Sequence, residues 1–346
     1  MQKKSLFVIT MVLLASMVLA ACGGAAEEPA EAAIKICQVT DAGGIDDKSF
    51  NATAWQGVLD AEEALGVEGM YLESQEQSDY EKNINAFLEE GCDLIVTVGF
   101  LLGDATAAAA EANPEQPFSI VDYAYDPAYD NVLGQVFATD QAAFLAGYLA
   151  AGVTQTGVVG TFGGIQIPTV TVFMDGFEYG VSYYNEVHGT DVQVLGWDSE
   201  TQEGLFAGNF DSTDDGRRLG ESLMDEGADI IMPVAGPVGA GTAAAAMERG
   251  GVYIIGVDSD WYLTQPNYGE IILTSVLKKM DATTMEAARM VVDGEFVGGV
   301  VVGTLENEGV GLAPYHDLES MVSADLQAEI ADLSTQIIAG DIQTAP

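Results

Sequence analysis

The chain has 346 residues, enough for two modest cores, and sets 54 acidic side chains against 11 basic ones, a formal charge of −43. That balance excludes a basic face for nucleic acid or for anionic membrane, so no nucleic-acid partner is expected. The excess reads as a solvated acidic surface suited to a salty or acidic habitat.

Lys3-Lys4 followed by the apolar run Leu6–Val18, too short to span a bilayer comfortably, is the pattern of an export signal over 1–21. It closes in Leu19-Ala20-Ala21-Cys22-Gly23, which resembles a bacterial lipobox and implies a lipid on Cys22; the alternative is a cleavable signal with an incidental cysteine. Residues 22–33, with three Glu and one Pro, read as a tether, and the expected location is the extracytoplasmic face of the cell membrane, lipid-anchored. Cys37 and Cys92 each lie beside an apolar strand, as buried thiols or, in an exported protein, as a disulfide. No metal-ligand spacing is present, His188 and His316 stand far apart, and neither metal nor cofactor is expected.

Ile34, Ile36 and Val39 form a first strand, Gly43-Gly44 a turn, and Phe50, Ala54, Val58, Ala61 and Leu65 recur at helical spacing. Strand, carboxylate-rich turn and helix start form the place where open α/β sheets bind small molecules. A second strand at Met70–Leu72 and a helix at Asp79–Glu90 with Ile84, Phe87 and Leu88 inward follow. Next come the strand Asp93–Gly99, a helix at Asp104–Ala112 and the strand Phe118–Val121, which ends in Asp122. Near-continuous apolar strands alternating with helices predict α/β architecture with parallel sheets covered on both faces.

The segment 89–106 lies over 225–242 without a gap at an offset of 136, each run being followed by four alanines. The same offset sets Val121-Asp122 over Val257-Asp258. Two Rossmann-like lobes on one plan are expected, each delivering an aspartate from an equivalent strand end; convergence of two helix–glycine–strand units is the alternative. Between the repeats, 157–162 with Gly163-Gly164 reads as the second lobe's first strand and turn, Phe173–Tyr184 as its first helix and Val192–Gly196 as its second strand. Beyond Asp258 a strand at Ile271–Lys278, a helix at Asp281–Val292, a strand near Val300–Gly303 and a last helix at Ala324–Ala339 are expected. The expected first lobe is 34–137 plus 259–297 and the second 138–258 plus 298–346, with several crossovers forming a hinge.

The stretch Val39–Trp55, the run Phe137–Ala151, Gly236–Gly241, Gly256-Val257-Asp258-Ser259-Asp260 and Leu273–Asp281 resemble the basic membrane protein family of bacterial lipoproteins, substrate-binding proteins of ABC importers that include purine nucleoside receptors. The resemblance runs from about Lys35 to Tyr315 and implies a type I periplasmic-binding-protein fold that captures a purine nucleoside between its lobes, as a monomer serving a permease and an ATPase. By motif it implies base-reading positions at Asp41 and Asn51, a stacked ring at Phe50 and an opposing one at Phe210. Asp122, Gly236, Asp258 and Lys278 match positions near base and ribose. One position departs: Trp261 stands where the family commonly has Gln, which bears on the sugar side or the hinge.

The residue chemistry agrees. An amide such as Asn51 offers donor and acceptor together to a purine edge. Flat bases stack on Phe rings, worth roughly 1–3 kcal/mol each in other nucleobase sites. Carboxylates suit ribose hydroxyls and repel phosphate, which favours nucleosides over nucleotides. Asp46 and Asp47 read as turn and helix-capping residues, Trp55 as core, and of the adjacent Lys278 and Lys279 only one can face the cleft. Two rival readings remain. One is a binding protein for another small molecule, such as a sugar or other purine derivative. The other is a nucleoside hydrolase, since Asp41 to Asp47 superficially resembles that family's calcium-binding aspartate cluster, with the first Asp one residue too far from the pair.

Overall fold

The computed structural model describes residues 33–346, so the export signal, Cys22 and nearly all of the tether lie outside the described residues. The chain runs β1 (Lys35–Val39), α1 (Phe50–Leu65), β2 (Glu68–Leu72), α2 (Tyr80–Glu90), β3 (Leu94–Val98), α3 (Gly103–Ala112), β4 (Phe118–Val121) and β5 (Val132–Phe137). It continues through α4 (Thr139–Val153), β6 (Val158–Gly163), α5 (Pro168–His188), β7 (Gln193–Leu195), a short hairpin of β8 (Trp197–Asp198) and β9 (Glu203–Gly204), α6 (Thr213–Asp225), β10 (Ile230–Val234), α7 (Gly239–Arg249) and β11 (Tyr253–Asp258). The last elements are α8 (Trp261–Thr264), β12 (Ile272–Lys278), α9 (Met280–Val292), β13 (Gly299–Gly303), β14 (Val310–Leu312) and α10 (Ala324–Ala339).

Among the described residues these strands make two six-stranded sheets, ordered β13-β5-β4-β3-β1-β2 and β14-β12-β11-β10-β6-β7. Every pairing in the first is parallel; in the second only β12 with β14 is antiparallel. β3 and β10 are buried at every residue, as apolar strands covered on both faces must be. The first sheet is covered on one face by α1 and α9, through Ala54, Val58, Met280 and Ala287, and on the other by α2 and α3, through Tyr80, Ile84, Phe87 and Ala110. In the second lobe α4 and α5 approach so closely that a Cβ on Gly147 would stand 1.9 Å from the Phe177 carbonyl oxygen, and one on Gly180 1.9 Å from that of Phe144. Only glycine allows that helix contact.

The repeat holds in space. β3, α3 and β4 occupy in the first sheet the places that β10, α7 and β11 occupy in the second. The lobe boundaries need correction. β12 belongs to the second sheet, although the sequence places 259–297 in the first lobe, and β13 completes the first sheet, although the sequence places 298–346 in the second. The chain crosses between the sheets after β5, after β12 and after β13. These crossings are short and carry no linker composition, so strand pairing alone reveals them.

Cys37 on β1 and Cys92 before β3 are joined in a disulfide across 55 residues rather than being free thiols. Trp55 is half-buried, packs against the core between α1 and the first sheet, and meets the ring of Tyr71 edge-on.

Candidate functional site

The site begins where β1 ends. After Asp41 the chain turns through Gly43 and Gly44, whose φ angles of 116° and 75° suit glycine alone. The buried Asp47 carboxylate then stands at the head of α1. Its Oδ1 accepts the N–H groups of Ser49 (3.0 Å) and Ala52 (2.9 Å), and its Oδ2 accepts the N–H of Asn51 (2.8 Å). Helix-opening donors that would otherwise lack partners are thus satisfied, so Asp47 has the capping role expected of it. Asp46 is exposed and pairs with Lys48.

Asn51 is fixed by the same carboxylates. Its Nδ2 donates to Asp41 Oδ1 at 2.9 Å and to Asp47 Oδ2 at 3.2 Å. Its Oδ1 is buried with no hydrogen-bond partner among the described residues. A buried amide oxygen without a donor is costly, and here it stands beside an open crevice.

The other two aspartates come from equivalent strand ends. Asp122 follows β4 and Asp258 ends β11, both buried and both in left-handed backbone. Lys278, at the end of β12 and almost wholly buried, extends its Nζ to 2.6 Å from Asp122 Oδ2 and so ties the second sheet to the first. Ser49 Oγ donates to Asp258 Oδ2 (2.9 Å), and Ser259 Oγ donates to the Lys48 carbonyl (3.0 Å). Ser49 Oγ also reaches the Val257 carbonyl at 3.2 Å, so the lobes are held together by several polar links.

Between them lies a crevice lined by residues of both lobes. Asp41, Phe50, Asn51, Asp122, Phe210, Gly236, Asp258 and Lys278 all line it. Phe50 and Phe210 are half-buried, as rings facing a cleft would be, and Gly164 leaves room for the Phe210 ring, whose nearest atom would come within 2.2 Å of a Cβ there. The Lys278 ammonium sits 4.9 Å from the Phe50 ring centre and 5.5 Å from that of Phe173. Lys279 is exposed.

Sequence reasoning missed Phe100, Ile167, Phe173 and Pro237 as lining residues. The repeat held the signal for two of them, since Phe100 is the counterpart of Gly236, and Pro237 follows it. Trp261 is not on the crevice. Its indole is fully buried, packs over Gly256 and donates to the Val257 carbonyl at 2.9 Å, so the departure at this position is taken up in the core behind Asp258.

Four carboxylates and one ammonium in so enclosed a space shift each other. Burial pushes Asp41 up to about 8, against the hydrogen bond from Asn51 and reinforced by the charges of Asp47, Asp122 and Asp258. Burial likewise raises Asp258 to about 6, with the Lys278 charge and the Ser49 hydroxyl opposing. Asp47 and Asp122 are raised by burial too, resisted by the backbone donors of α1 and by Lys278 respectively. Such a cleft suits a flat, uncharged guest with polar edges, and among the described residues no group of three or more His, Cys, Asp or Glu is placed to hold a metal ion. Asp41 and Asp47 are spaced by the Asn51 amide, which occupies an oxygen of each.

Residues 34–345 match the family described as ABC transporter substrate-binding protein PnrA-like. The chain is 32% identical to the "ABC transporter nucleoside-binding protein BmpA" of Lactococcus lactis subsp. cremoris, covering 98% of each, and 33% identical to "Basic membrane protein A" of Borreliella burgdorferi, covering 97% of this chain and 94% of the relative. A crystal structure of ABC transporter solute-binding proteins from Aeropyrum pernix superposes with a TM-score of 0.81 at 30% identity, covering 90% of this chain and 92% of that one. The two parallel sheets with three crossings are accordingly a type I periplasmic-binding-protein fold. The chain belongs to the basic membrane protein family of PnrA-like ABC transporter substrate-binding proteins.

Proposed function

We propose that this protein captures purine nucleosides such as inosine, guanosine and adenosine in the crevice and hands them to an ABC permease and its ATPase. The observation that carries the reading is the unpartnered Asn51 Oδ1, set beside Phe50 and opposite Phe210 in a cleft ringed by strand-end carboxylates. The rings take the faces of the base, Asn51 and Asp41 its edge, and Asp122, Asp258 and Lys278 the base and ribose. The guest touches both lobes at once and so shifts the population toward the closed state. The nucleoside-binding name of the Lactococcus relative supports this choice of ligand.

The protein acts as a monomer held at the outer face of the membrane by a lipid on Cys22, and it leaves its ligand chemically unchanged. Mass spectrometry of ligand carried through purification, followed by calorimetry with the three nucleosides, tests the reading. A bound nucleoside and saturable heat are expected; a sugar in the crevice, or no heat with any nucleoside, overturns it. Incubation with inosine and calcium distinguishes a receptor from a hydrolase, since only the latter releases free base.

A further inference from the structure

The crevice has more carboxylates than it has partners for. Asp47 receives three backbone N–H groups and the Asn51 amide, donors that resist the rise burial imposes on it. Asp122 holds the ammonium of Lys278, and Asp258 holds the Ser49 hydroxyl. Asp41 has neither cation nor backbone donor. Its Oδ1 accepts one N–H from Asn51, and among the described residues nothing hydrogen-bonds its Oδ2, which faces Gly99 at the crevice wall so closely that a Cβ there would stand 2.6 Å away. Asn51 from the head of α1 bonds this carboxyl, the charges of Asp47, Asp122 after β4 and Asp258 of β11 act on it, it acts on the Tyr80 phenol of α2, and among the described residues the one cation lining the crevice, Lys278, is bonded to Asp122.

We propose that Asp41 meets the ligand as a neutral carboxylic acid, donating its O–H to the base edge while the adjacent Asn51 Oδ1 accepts from it, so that capture is linked to a proton held in the crevice. A neutral Asp41 turns an acceptor-only wall into one donor beside one acceptor. That pair complements a base edge that sets an acceptor next to a donor, as the carbonyl and ring N–H of a 6-oxopurine do. When Asp41 is ionised, the base must bring a proton in from solvent or face a buried charge; binding above the titration range therefore takes up a proton. The rise of Asp41 to about 8 sets where that begins. The proposal rests on the nucleoside reading for its ligand.

Two measurements on the whole protein test it. Carboxyl carbon resonances of aspartate-labelled, ligand-free protein should include one titrating near about 8 that Asp41→Asn removes. Calorimetry with adenosine, whose base has no proton to lose in this range, should show affinity falling roughly tenfold from pH 7 to pH 9, with proton uptake revealed by buffers of different ionisation heat. In Asp41→Asn the slope should vanish whatever the affinity, while Asp258→Asn should retain it. A carboxyl set titrating wholly in the ordinary range, or an equal slope with and without Asp41, overturns the proton linkage. Nucleoside binding that is flat with pH sinks this proposal alone, whereas no binding at either pH sinks the reading beneath it.

Discussion

Asp122 and Asp258 stand 136 residues apart in equivalent strand-end positions, and both hold the left-handed backbone, with φ of 66° and 69°. Side chains other than glycine, asparagine and aspartate rarely sit there, and the conformation costs energy. It occurs twice, at matching strand ends that line one crevice. Each takes a partner from the opposite lobe: Lys278 for Asp122, Ser49 for Asp258.

Removing a wall or a strand-end acid should therefore weaken capture. Phe50→Ala and Asp258→Ala are each expected to reduce nucleoside affinity tenfold or more, about 1.4 kcal/mol per decade. Calorimetry giving wild-type affinity for both would place the ligand elsewhere.

Lys278→Met leaves Asp122 buried without its cation and should lower stability by about 3 kcal/mol, since breaking one side of a buried pair is costly. Adding Asp122→Asn should restore part of that loss. Urea melts of the two single variants and the double variant measure the coupling, and simple additivity would argue against a working pair.

The raised crevice acids fix the sign of the pH dependence. Because Asp41, Asp47, Asp122 and Asp258 bind protons more tightly folded than unfolded, the native state holds more protons between the ordinary carboxylate range and about pH 8. Stability is then greatest at the acid end of that window and falls as pH rises through it. Ligand-free protein should melt at a higher temperature at pH 5 than at pH 8, and Asp41→Asn should raise the melting temperature more at pH 8 than at pH 5. Equal shifts at both pH values would contradict this origin.

The Cys37–Cys92 bond closes a loop of 55 residues across β1 and the start of β3. On the chain-entropy account such a loop is worth about 4 kcal/mol. The variant with both cysteines changed to alanine should unfold at correspondingly lower urea, and a midpoint equal to that of the wild type would show that the bond adds nothing to stability.

Charge −43 on a chain of this size implies strong self-repulsion. Molar salt shortens the screening length to roughly 3 Å, so urea melts should shift to higher denaturant with added sodium chloride. No gain in salt would count against an acidic surface suited to brine.

Much of this was legible in the residues, and the gaps have physical causes. β3 and β10 were visible because buried parallel strands are unbroken apolar runs, and α10 because its stripe is periodic and its ends are marked by Ser323 and Gly340. α4 gave no such stripe: it is buried nearly all round, packed between α5 and the second sheet, and a helix apolar on every side has no periodic signal. β5 was obscured by Gly134 and Gln135 in mid-strand. The eight residues marked from motif all reached one crevice, while Phe173 entered it from a helix, and Ile167 from the residue just before that helix, whose start was expected later in the chain. The bond between Lys278 and Asp122 spans 156 residues, and no local pattern announces a contact of that kind.

The place of β13 has a consequence for synthesis and export. The first sheet contains residues 35–39 at one end of the chain and 299–303 at the other. A polypeptide emerging from its N-terminus can pair five of those six strands early, but the last edge stays open until nearly the whole chain has been delivered. Neither half can be expected to assemble from a separately expressed fragment, and a translocation arrested before Gly299 would leave β5 offering unsatisfied backbone groups to whatever strand arrives first.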